Sequence, residues 1–131
     1  MQTFRVTLLL TLILGVLLAA CNSSTDPTTQ ATPAPITVQL TTRPETPQAG
    51  EVEMIFTVVD LAGQPLTGAD FDVIADHTDM GGMTLHGKAN EQADGQYSIK
   101  ANFSMSGKWK VSVQIQKEGL DYRKNIDFQV K

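Results

Sequence analysis

The chain has 131 residues, with 14 acidic against 10 basic side chains and a formal charge of −4. A nucleic-acid-binding surface is excluded, because the lysines alternate with apolar residues instead of gathering into a basic patch. A single cysteine excludes an internal disulfide, so the fold must rest on its apolar core.

In chain order, Arg5 supplies a positive start, Val6 to Leu18 an apolar run, and Ala19-Ala20 the small residues a signal peptidase requires. The run falls short of the roughly 20 apolar residues of a spanning helix. Leu18-Ala19-Ala20-Cys21 resembles the lipobox of bacterial lipoproteins, with the lone cysteine at the position that motif requires. The resemblance implies cleavage before Cys21 and acylation of that residue. Each buried CH₂ would then add about 0.8 kcal/mol to membrane attachment. With residues 1–20 removed, 14 acids face nine bases (ten less Arg5), a net charge of about −5.

Residues 22–35 read NSSTDPTTQATPAP. Such a segment lacks the apolar surface to offset its ordering entropy, and the composition predicts a disordered tether.

From Ile36 the apolar period becomes two. Ile36, Val38 and Leu40 begin it, followed by Val52-Met54-Phe56-Val58 and by Phe71-Val73-Ala75. Tyr97-Ile99-Ala101-Phe103, Trp109-Val111-Val113-Ile115 and Ile126-Phe128-Val130 continue it, and a further strand is expected to start near Met83. Alternation of this kind marks half-buried strands, and Gly, Pro and Asp clusters separate the runs. The pattern predicts an all-β domain over residues 36–131. Its expected fold is an immunoglobulin-like antiparallel sandwich of about seven strands, with a small closed barrel as the alternative.

One segment breaks the alternation. His77-Thr78-Asp79-Met80-Gly81-Gly82-Met83-Thr84-Leu85-His86 holds both histidines and two methionines, and Met105 follows the Tyr97 strand. Thioether sulfur is soft and neutral and imidazole is borderline, a donor set that favours Cu(I). Zinc would more often recruit cysteine, or several histidines and carboxylates. The candidate metal ligands are therefore His77, Met80, Met83, His86 and Met105. Strand phase turns His86 away from the face shared by Met83, Leu85 and Gly87. Each candidate also has a structural role open to it: a capping histidine, or methionines filling gaps beneath a loop. No nucleophile stands beside a base in a recognisable context, so the chain reads as a binding protein and not as an enzyme.

The order His77…Met80…Met83, then Asp94-Gly95-Gln96-Tyr97, then Met105-Ser106-Gly107-Lys108-Trp109 is similar to the YtkA-like and FixH-like domains. The similarity covers roughly residues 50 to 116. It rests on a DGxY turn into one strand and an MxGxW entry into the next. It implies a small extracytoplasmic β-sandwich, often membrane-anchored, in a group associated with copper handling and with metal supply to respiratory oxidases. The expected protein is a monomer, lipid-anchored outside the cytoplasm, that holds Cu(I) for delivery or resistance. Its partner would be a protein in copper transfer or oxidase assembly. The alternative is an interaction module without metal that assists assembly of a membrane protein complex.

Overall fold

The computed structural model of the chain describes residues 35–131. The signal segment, Cys21 and the tether up to residue 34 lie outside the described residues. Pro33–Lys131 close on themselves as one compact unit. Among the described residues, a continuous set of buried apolar side chains runs from Ile36 to Val130, so this unit carries its own core.

Among the described residues, eight strands form two antiparallel sheets. They are β1 (Ile36–Arg43), β2 (Gly50–Asp60), β3 (Asp70–His77), β4 (Thr84–Lys88), β5 (Asn90–Glu91), β6 (Gln96–Phe103), β7 (Gly107–Lys117) and β8 (Leu120–Val130). One sheet has the order β1-β2-β6-β5 and the other β4-β3-β7-β8. The expected sandwich is present. Its eighth strand is β5, which pairs only through Asn90 with Ser98 and Glu91 with Tyr97. Two exposed polar residues leave no periodic trace in the sequence.

Alternation decides the layers. Val52, Met54, Phe56 and Val58 point inward from β2 and are buried, as are Trp109, Val111, Val113 and Ile115 from β7. Aromatic rings interlock between the sheets. Phe56 and Phe71 lie 4.9 Å apart, Phe71 and Tyr97 5.1 Å, and Phe103 and Trp109 5.0 Å. The Tyr97 hydroxyl donates to Leu66 O at 2.9 Å and accepts from Ala69 N–H at 3.1 Å, tying the β2–β3 connection to the core. The DGxY turn has a steric basis. Asp94 and Gly95 both have positive φ, 49° and 73°. A Cβ at position 95 would sit 2.7 Å from Val58 O, so glycine is required there.

Two features shape the molecule's edges. The stretch from Thr84 to Glu91 changes sheets at Ala89, whose N–H donates to Phe71 O at 2.9 Å. It therefore pairs with β3 first and with β6 only afterwards. At the opposite side, β8 is longer than the Ile126 run. Lys124 takes an inward position on it and donates to Val38 O at 3.0 Å.

Candidate metal centre

His77 is the last residue of β3 and is in phase with Phe71, Val73 and Ala75, so its ring turns inward. It is 9% exposed. Its ring meets Trp109 edge-on at 5.0 Å. Nδ1 accepts the Asp79 N–H at 3.2 Å, and Nε2 faces Ser106 O at 3.4 Å. Because Nδ1 accepts, the neutral ring carries its proton on Nε2, directed at that carbonyl. Gly107 makes room for the ring. Its φ is +136°, and a Cβ there would land on His77 Nε2. His77 thus stitches the end of β3 to the connection between β6 and β7.

The methionines surround this stitch in graded exposure. The His77 N–H donates to Met83 O at 3.0 Å and closes the β3–β4 loop. Met83 is half-buried against the core, and its sulfur accepts the Ser104 hydroxyl at 3.6 Å. Met105, beside Ser104, also packs half-buried against the core. Met80 stands at the loop's outer part and is 47% exposed. The β3–β4 loop and the 104–106 connection therefore lie side by side at one end of the sandwich, and both carry thioethers. Met54, the remaining methionine of the described residues, is buried inside β2.

His86 lies elsewhere. It is exposed on β4, paired with Ile74, on the outer face of the sheet. Met83 and Leu85 have the opposite, inward phase. The histidine pair is therefore split between two faces, and one histidine stays with the methionines.

The donor chemistry can be weighed residue by residue. Among the described residues, no three side chains of His, Cys, Asp and Glu converge as a metal site. A zinc-type set is thus missing from them, while thioethers are at hand. His77 is a conditional donor. Either nitrogen can bind an ion only by giving up a backbone partner, at a net cost of about 0.5–1.5 kcal/mol. The Nε2 contact is the longer of the two. Ser104 and Gly107 carry no metal-ligating signal in the sequence, since a hydroxyl on sulfur and a missing Cβ beneath a ring follow only from tertiary placement. The core carries one polar anomaly beside this site. Trp109 Nε1 is buried without a hydrogen-bond partner, alone in this among the described residues.

A family model described as YtkA-like matches residues 30–114. No curated protein matches the chain. Among solved structures, the soluble domain of PmoD from Methylocystis sp. ATCC 49242 (Rockwell) is similar to it with a TM-score of 0.49 and 16% identity. That likeness covers 73% of this chain and 90% of the other.

Proposed function

The chain belongs to the YtkA-like family, and from that premise we propose that it is an extracytoplasmic binding module for a soft metal ion, Cu(I). It is tethered to a membrane by acylated Cys21 and is not an enzyme. The thioethers of Met80, Met83 and Met105 carry the site. His77 joins them when its ring exchanges a backbone contact for the ion. His86 takes no part, because it lies on the other face.

One observation carries this reading. The Ser104 hydroxyl on the Met83 sulfur brings the loop that holds Met80 and Met83 against the connection that holds Met105. Neutral sulfur donors favour Cu(I) over Zn(II), and they bind without losing a proton. The half-exposed rim suits an ion that must be passed on. Delivery to a partner in oxidase assembly, or sequestration for resistance, would use the same site.

Cu(I) titration against a chromophoric competitor tests the proposal. The Pro33–Lys131 unit should bind one ion. Replacing Met80 and Met83 together by Leu keeps volume and apolarity and should abolish binding while the fold persists. Ser104→Ala removes only the contact that orients Met83, and should weaken binding about 10-fold, the lower end for such supporting residues. Unchanged affinity in the double Leu variant would make the methionines packing residues and leave a metal-free interaction module as the better reading.

A further inference from the structure

The sheet change at Ala89 has a consequence for the side of the molecule next to the candidate metal site. In the first sheet, β5 covers the outer edge of β6 only at Tyr97 and Ser98. Among the described residues no strand pairs with that edge beyond Ser98, so the backbone of Lys100–Phe103 is free on one side there. In the second sheet, β4 is itself an edge strand, paired on one side with β3. A cleft of about 180 Å³ opens between the two free edges. Its floor is apolar, formed by Met54, Val73, Ala75, Leu85 and Ala101, while His86, Lys100 and Asn102 border it from strand positions whose side chains point outward. Both edges lead to the same end of the sandwich. β4 begins one residue after Met83, and β6 ends one residue before Ser104.

We propose that this cleft takes an extended segment of a partner protein, which adds to the free edge of β6 as a fifth strand, in line with β5. Three observations select that occupant. The N–H and C=O groups of Lys100 and Asn102, which point to the free side of β6, demand a backbone in return, which an extended chain supplies and a compact ligand does not. The floor suits one aliphatic side chain: an apolar cavity of roughly 150 Å³ already admits benzene. On the outer face of the same edge, next to the inward-facing Ala101, stands the exposed ammonium of Lys100. Lys100 is held only by an exposed pair with Glu51 at 3.1 Å, a contact of little worth that an incoming acid can replace.

Register specifies the segment further. Residues directly opposite in a ladder share a face. The residue opposite Ala101 therefore points into the cleft and should be aliphatic. The residue opposite Lys100 points outward and should be acidic. The partner's chain then continues toward Met83 and Met105. Use of this docking for ion transfer rests on the copper reading, but the docking itself does not require copper.

The test is amide NMR of the metal-free Pro33–Lys131 unit, titrated with an acetylated, amidated peptide Thr-Val-Glu-Leu-Thr-Val. Two controls accompany it: the same peptide with Lys in place of Glu, and one with the apolar–polar alternation shifted by one residue. Saturable shifts confined to Lys100–Phe103 and the β4 edge are expected, with at least 10-fold weaker binding of both controls. Ala101→Phe fills the floor and should abolish the shifts; Ala101→Val, a milder change that serves where the larger one unfolds the unit, should weaken binding, and unchanged binding by a folded variant would overturn the proposal. Absence of shifts at millimolar peptide, or shifts elsewhere, would overturn the docking proposal and leave the copper titration untouched. Concentration-dependent shifts at the same edge without peptide would name a second copy as the occupant and overturn it equally.

Discussion

Gly107→Ala probes the stitch between the loops most directly. Two costs arise at this position. The backbone has φ of +136°, a conformation that residues with a Cβ avoid at about 1–3 kcal/mol. The new methyl would also fall on the His77 ring, whose Cε1 and Cδ2 lie 3.0 and 3.5 Å from the Cβ position. Overpacking of that kind costs another ~1–3 kcal/mol. The variant should thus lose about 2–6 kcal/mol, a large part of the ~5–15 kcal/mol that holds a domain. The two costs separate in a double-mutant cycle with His77→Ala. Removing the ring relieves the clash but leaves the backbone strain, so the pair should be coupled by about 1–3 kcal/mol. Urea denaturation reads this directly. In thermal melts each kcal/mol moves the midpoint by about 4–8 °C for a domain of this size. Additive effects, with Gly107→Ala costing as much without the ring as with it, would refute the wedge of His77 on Gly107.

Tyr97→Phe should cost about 1–3 kcal/mol, because Leu66 O and Ala69 N–H both lose the partner they have in the folded chain. Burial raises the Tyr97 hydroxyl above its ordinary value of 10.0. The unfolded chain therefore ionises first. Stability is full below that value and falls as pH climbs through the folded one, and Tyr97→Phe should flatten that alkaline decline in denaturation curves. For the anchor, mass spectrometry of the mature protein should find acyl mass on residue 21, and Cys21→Ser should release the domain from membranes or leave the signal segment attached. An unmodified N-terminus elsewhere would refute the lipoprotein reading.

Much of the fold was legible because period-two alternation is strict where a strand faces one layer of core. The Trp109 strand shows this best, with Lys108 and Lys110 exposed and Trp109, Val111, Val113 and Ile115 buried. Legibility failed where the inward position is polar or the strand is too short to show a period. Lys124 interrupts the β8 alternation because its ammonium satisfies an edge carbonyl of β1, so only the Ile126 half reads as a strand. β5 is invisible for the second reason. At the candidate site, phase alone separated His86 from Met83, since a β-strand turns successive side chains to opposite faces. Phase could not show that both ring nitrogens of His77 already face backbone groups. That follows from the approach of two loops distant in sequence, and it changes the chemistry. A free imidazole would be a ready ligand, whereas this one holds the loops together through two backbone contacts. The thioethers have no such prior engagement beyond the Ser104 contact. On the copper reading proposed above, the order of binding would follow what each donor must give up: sulfur first, imidazole second. With that order, proton competition enters only at the second step, and Cu(I) affinity in the His77→Ala variant should be nearly independent of pH across the histidine range.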